Sequence, residues 1–275
     1  MGVVATVSAL TYYPVKGFSG VPVTTAETTE TGLLDDRLLM VVEASDGSFV
    51  SQRKLPAMAA VQAALSNNRL TLTAPNTDEF ELDLTHTGPE REVSLFNRWF
   101  GPAVDQGDPA AKWCSTTLNR DVRLVRVPPN HDREGWGTHP GKVGFGDAHA
   151  ILMTSDSSLA DLNTRIETAG ATPIPMDRFR ANIEVTGWPD PYTEDRVHTL
   201  TIGTTTLGFS TQAVRCAVPT VDQRTGAKTG PEPTRTLATY RRHPTRPGVT
   251  FGAKLAILTP GTLRVGDDVH VSEWQ

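Results

Sequence analysis

Cysteine is scarce in this sequence. Only Cys114 and Cys216 occur among 275 residues, and neither lies in a C-x-x-C or a C-x₂₋₄-C…H-x₃₋₅-H arrangement. Neither a disulfide scaffold nor a structural zinc site is expected. Excess positive charge is also lacking: 26 Lys+Arg against 31 Asp+Glu leave −5 at pH 7. A chain that wraps nucleic acid by neutralising phosphates needs the opposite balance, so no nucleic-acid partner is expected. No run approaches the ~18 consecutive apolar residues of a membrane span. The opening MGVVATVSALTYYPVKG carries no basic stretch ahead of an apolar one, which leaves residence in the cytoplasm and no membrane contact as the expectation. The histidines form no HExxH or close pair, and His131, His139 and His149 read as loop residues. Nucleotide signatures fail as well. Upstream of Gly141-Lys142 the P-loop glycine position holds Trp136 and the Ser/Thr position holds Val143, while Gly141, Gly144 and Gly146 do not space as G-x-G-x-x-G.

What is present is a chain of 38% hydrophobic residues, ample for a buried core in one large domain or two modest ones. The first hundred residues read as strands. VVATVSALTYYPV, RLLMVVEA, SFVSQR, RLTLTA and FELDLT are short alternating or β-branched runs separated by Gly, Pro, Asn and Asp turns. Asp46-Gly47 tolerates the positive φ of a tight turn and makes RLLMVVEA and SFVSQR antiparallel neighbours. That pairing brings Arg37 near Gln52 and Arg53. GPAVDQGDP at 101–109 is a turn-rich link, where a domain boundary is placed, followed by a helix with Asp108 as the cap candidate and Pro109 at its first position. VRLVRV is a strand, 130–149 a long Gly- and His-rich loop of the kind that walls a cleft, AILMT a buried strand, and SSLADLNTRIETAG an amphipathic helix capped by Ser158 with the stripe Leu159, Leu162 and Ile166. FRANIEV, HTLTIG, TTLGFS and LRVGDDVHVSE are further strands.

Charge divides the chain. Residues 1–105 hold 7 Lys+Arg and 13 Asp+Glu, a net of −6, and residues 106–275 hold 19 and 18, a net of +1. Between Arg215 and Arg246 seven basic residues face two acidic ones, Asp222 and Glu232. This run is either a solvated face or a site for an anion. Cys216 directly follows Arg215, where the apolar strand pattern gives way to a polar loop. Such an electropositive neighbourhood suits a thiolate that ligates a soft metal or attacks an electrophile, although the pattern also fits a buried structural cysteine. Cys114, beside Trp113 on an apolar helix face, reads as core. Thr154 to Ser158 precede a helix, whose N-terminal N–H groups favour an anion; capping alone also accounts for the serines.

Six ordered motifs carry a resemblance: YPVKG-x-x-G-V-P-V from Tyr13 to Val23, DDR at 35–37, SQR at 51–53, SSLADLN at 157–163, FRANI at 179–183, and RCAVPTVDQRTG at 215–226 followed by PEPTRTLATYRR. Together they resemble the MOSC family (molybdenum cofactor sulfurase C-terminal domain), and more closely its branch with an N-terminal β-barrel that includes the mitochondrial amidoxime-reducing component and bacterial relatives. The resemblance implies an α+β, β-rich protein with a few helices, an N-terminal β-barrel domain at about 1–106 packed on a MOSC β-barrel domain at 107–275. It implies a molybdenum cofactor with Cys216 as the metal's thiolate ligand. Lys16, Arg37, Arg53, Ser155, Arg180, Asn182, Arg215, Thr220 and Arg241 are implied as cofactor-binding residues, and Asp222 as a catalytic residue that orients substrate or relays a proton. The implied activity is reduction of N-hydroxylated compounds such as amidoximes and hydroxylamines, with electrons from an external reductase. A non-catalytic cofactor carrier and a sulfur carrier with a persulfide on Cys216 are the alternatives. Two departures stand out: Gly17 follows Lys16 where relatives often have Ser, and the stretch before Glu232-Pro233 lacks a basic pair common in animal relatives.

Overall fold

A computed structural model describes residues 5–96 and 98–275; Val3 and Val4, the expected start of the first strand, lie outside the described residues. Seven strands close into a barrel in the order Ile183–Thr186, Ile151–Ser155, Val249–Thr259, Thr205–Arg215, Val197–Ile202, Asp268–Trp274 and Ala5–Tyr12, the last returning to the first. Closure removes the free edges that an open sheet would leave. All these pairs are antiparallel except Ile151–Ser155 with Ile183–Thr186, which is parallel and is bridged by the helix Asp156–Thr168. Burial of Leu162 and Ile166 on that helix against Phe179 and Phe251 follows the apolar stripe. Its cap differs from expectation: Ser155, in extended conformation, accepts from Ser158 N, so the helix begins earlier than the serine pair suggests.

The barrel is not built from the C-terminal part alone. Ala5, Val7 and Leu10 point into the same core as Ile183, Val185, Leu200 and Leu255. Alternation by two would carry 5 and 7 on to 9, but a bulge between Val7 and Ala9 shifts the parity and turns Leu10 inward. The reverse exchange also occurs. A five-stranded sheet runs Glu90–Leu95, Arg98–Asp105, Val122–Arg126, Leu39–Glu43 and Val15–Lys16. The helix Asp108–Leu118 packs Ala110, Trp113, Cys114 and Leu118 with Leu39, Val41, Leu70 and Leu72 beneath it. The boundary at 106/107 is thus not where the packing changes hands, because the apolar face of this helix and of VRLVRV fits the N-terminal core, while the first strand completes the barrel.

Three local expectations are refined. SFVSQR pairs only through single bridges, Phe49 with Val42 and Ser48 with Ser94, before the chain turns into a 3₁₀ segment at Pro56–Ala60. Gly47 at φ 68 and the bond from Ser48 N to Asp46 Oδ1 (2.9 Å) still make the turn. The Asp108–Leu118 helix is capped by Gly107 without a side-chain bond, and Asp108 instead pairs with Arg123. Both cysteines are free. No helix among the described residues is long and apolar enough to cross a membrane.

Candidate active site

Where the barrel meets the five-stranded sheet lies a cavity of about 750 Å³. Cys216 opens onto it from just beyond the C-terminal end of the Thr205–Arg215 strand, and it is exposed. The reading of Cys216 as a buried structural residue is thereby overturned. Cys114 is the buried one, its thiol pushed up to about 12 by burial.

The opposite wall is a stacked cationic unit. The Tyr13 ring lies 4.3 Å from the Arg37 guanidinium and 4.2 Å from that of Arg180. Both arginines have left-handed backbone, φ 48 and 58, a conformation that non-glycine residues keep only where the surroundings hold it. The restraint is visible. Arg37 Nη1 donates to Asp36 Oδ2 (2.5 Å) and Asn182 Oδ1 (2.9 Å), and Nη2 donates to the Arg180 carbonyl (3.3 Å). Asn182 is 1% exposed; its Nδ2 donates to Thr11 O and Asp36 Oδ1, and its Oδ1 also accepts from Leu152 N. It ties the barrel strands to the 35–37 turn and lines the cavity beside Arg37. Arg180 donates to Gln223 Oε1 (2.9 Å) and Phe18 O (2.7 Å).

Lys16, Arg215 and Lys254 add charge to the same cavity. Gly17 at φ 88 turns the chain directly after Lys16, in a region of backbone space that suits glycine. Lys16 pairs with Asp147 at the mouth. Arg215 donates to the Phe179 carbonyl (2.8 Å), while its buried Nε has no partner among the described residues. Burial is the main cause that lowers Arg180 to about 10 and Lys254 to about 8; the neighbouring arginines and Lys16 add to it. Asp147 goes the other way: burial opposes ionisation, but Lys16 and Lys254 hold its carboxyl well below the usual range. Buried cations outnumber the carboxylates that face them. An unpaired donor and depressed basic groups are what an anion would relieve.

The remaining expected residues divide. Arg53 lines the cavity as an exposed side chain, its guanidinium 4.9 Å from the Phe96 ring. Ser155, Thr220, Asp222 and Arg241 do not line it. Ser155 Oγ is fully buried and donates to Glu194 Oε2 (2.8 Å), because the cap turns it into the protein. Thr220 Oγ1 donates to the Ala217 carbonyl (2.8 Å), closing the turn after Cys216. Asp222 Oδ1 accepts from Arg224 N, Thr225 N and Thr225 Oγ1, and Oδ2 lies 3.6 Å from Arg178; these bonds tie a loop outside the cavity lining and hold the carboxyl below its usual range. Arg241 pairs with Asp195 and lies 4.1 Å over the Tyr192 ring. Sequence reasoning missed Tyr13, Gln52, Asp147, His149 and Lys254 as parts of the site. Lys254 leaves a trace, as a lone cation inside the apolar run FGAKLAIL.

One consequence is measurable on cofactor-free protein. Lys254, with a folded value of about 8 against 10.5, costs stability while it is charged, and the cost fades as pH rises from 8 towards 10.5. An anion that restores the charge therefore takes up a proton. Inorganic phosphate is expected to bind progressively more weakly as pH rises through about 8, and Lys254→Met should bind it weakly with that dependence gone. Calorimetry across the pH range checks this; an unchanged dependence in the variant would assign it elsewhere.

Comparison with known proteins agrees with this layout. The profile of the MOSC N-terminal beta barrel domain matches residues 4–121 and that of the MOSC domain matches 140–270. The chain is 36% identical to mitochondrial amidoxime reducing component 2 of Macaca fascicularis and 35% to that of Homo sapiens, over 97% of this chain and 83% of each relative. It is 32% identical to mitochondrial amidoxime-reducing component 1 of Mus musculus, over 98% of this chain and 82% of the relative.

Proposed function

Since the chain belongs to the MOSC proteins with an N-terminal β-barrel, we propose that it is an oxidoreductase that converts N-hydroxylated compounds to their N–H forms, using a molybdenum cofactor in the cavity at Cys216 and electrons from a separate reductase. The observation that carries this reading is the exposed Cys216 thiol beside a cavity whose cations outnumber its carboxylates. Relatives that cover the whole arrangement bear the name amidoxime-reducing component.

The residues fit such a cofactor. Lys16, Arg37, Arg180, Arg215 and Lys254 suit an anionic, phosphate-bearing group, and guanidinium forks bind phosphate through paired hydrogen bonds. Cys216 offers the soft sulfur that molybdenum takes. When bound, the group supplies the two electrons that, with two protons, turn N–OH into N–H and water. The chain's own part is positional. Tyr13 spaces Arg37 from Arg180, Asp36 and Asn182 lock Arg37, and the short 3₁₀ turn Val218–Thr220 leads the chain away from the thiol and leaves it open. Lys254, whose charge a bound anion restores, adds a further cation to that grip from inside the cavity.

The test is metal analysis of purified protein together with turnover of benzamidoxime under a chemical reductant. Molybdenum near one per chain with turnover is the expected result. Molybdenum without turnover would make the protein a carrier; a persulfide on Cys216 without molybdenum would make it a sulfur carrier.

A further inference from the structure

A second cavity, of about 860 Å³, adjoins the first, and Phe96 and Asp147 line both. Three rings, Phe96, Phe100 and Trp136, line it together with the charged residues Asp132, Arg133 and Glu134. Phe96 is 41% and Trp136 47% exposed, so two large rings stand partly in water around one hollow. The Arg246 guanidinium lies 4.6 Å over the Trp136 ring, and Arg133 lies 5.3 Å over Phe100. Arg133 also spends its donors on the carbonyls of Gly144 (2.9 Å), Gly146 (3.0 Å) and Asp147 (2.6 Å). The 130–149 segment is therefore braced in place as a wall.

His149, 7% exposed, lines the first cavity directly after Ala148, which lines the second. Its Nε2 lies 2.6 Å from the Trp136 carbonyl, which only accepts, so Nε2 carries the proton and Nδ1 the lone pair. Nδ1 is buried with no partner among the described residues. Burial first, then Lys254 and Arg246, keep the ring neutral by lowering it to about 4. In a cavity otherwise rich in donors this atom is a free acceptor. A buried acceptor without a partner costs stability until a ligand N–H or O–H meets it.

We infer that the second cavity is the subsite for a flat aromatic substituent of the N-hydroxylated substrate, with Trp136 as the residue that sets this preference and His149 Nδ1 accepting from the substrate's amino or hydroxyl group. The inference rests on the reductase reading for the identity of the reacting group. Phe100 is already stacked on His131 at 4.6 Å, and the two half-exposed rings, Phe96 and Trp136, favour a flat aromatic occupant, since rings pack on one another better than on a small alkyl group. Phe96 and Asp147 border both cavities, so a substituent seated in the second lies next to a group held in the first.

The experiment uses cofactor-loaded protein and two probes with the same reacting group, benzamidoxime and acetamidoxime, titrated by calorimetry. Wild type should bind benzamidoxime at least about tenfold more tightly, the scale expected for burying a ring in place of a methyl group. Trp136→Ala should erase most of that preference and leave acetamidoxime unchanged. The His149 hydrogen bond to the backbone of residue 136 survives this change, and an exposed side chain is removed, so the fold is retained. His149→Phe should weaken both probes by about tenfold. Equal binding of the two probes by wild type, or a preference that persists in Trp136→Ala, would overturn the subsite. Unaltered binding in His149→Phe would overturn the acceptor. Turnover separates this from the parent reading: the binding pattern without reduction leaves the subsite and removes the reductase, whereas reduction without aryl preference does the reverse.

Discussion

Cys216→Ser is expected to bring reduction of amidoximes down to background while leaving the melting temperature where it is. The side chain is exposed and stands at the cavity rim, so no packing is lost on replacement. A serine hydroxyl is a hard ligand and remains protonated at neutral pH, whereas the proposed chemistry needs a soft thiolate on the metal. Steady-state rates and molybdenum content, measured together, decide the matter. Wild-type turnover by the variant with molybdenum still bound would refute the ligand assignment. Cys114→Ser is the companion measurement; that thiol lies at 0% exposure in the N-terminal core, away from the cavity, and activity should persist.

Arg37→Ala should be the most destabilising change at the site. Asp36 has a side chain only 3% exposed, and Arg37 supplies its charge partner at 2.5 Å. Removing the guanidinium leaves a buried carboxylate with hydrogen bonds from Tyr13 N and Asn182 Nδ2 but no ion-pair partner, Arg180 acting on it only at longer range. Breaking one side of a buried pair typically costs about 3–5 kcal/mol. A large fall in the urea midpoint is expected, and the Asp36→Ala, Arg37→Ala double variant should recover part of it, since the stranded charge is then gone. Arg69→Ala is the control, because its partners Glu81 and Asp83 are exposed and its midpoint should not move. A similar fall in the control, or a double variant no better than Arg37→Ala, would show that the Asp36 charge is not the cause.

Cys216 after Arg215 was legible from the local pattern, and of the residues that the family motifs implied, Lys16, Arg37, Arg53, Arg180 and Asn182 reach the cavity with it. Four others implied from the same motifs do not line it. Ser155 turned inward to Glu194, Arg241 to Asp195, Thr220 to the Ala217 carbonyl, and Asp222 to its own loop. In each case a nearer hydrogen-bond partner took the polar group before any ligand could. The 130–149 segment was readable as a cleft wall from its glycines and lack of period, but its bracing by Arg133 was not.

The sequence by itself determined the β-rich class, the turn at Asp46-Gly47, the apolar stripe of the 156–168 helix and the family motifs, because these rest on alternation, turn propensity and spacing within a few residues. Tertiary structure alone decided that Ala5–Tyr12 closes the barrel, that the Asp108–Leu118 helix belongs to the N-terminal core, and that Lys254 and His149 face the cavity. Alternation says which face of a strand is apolar, but not which of several apolar strands it meets. That choice is made by the best joint burial of surfaces far apart in the chain, here after a bulge at Val7/Ala9 has reset which residues point inward.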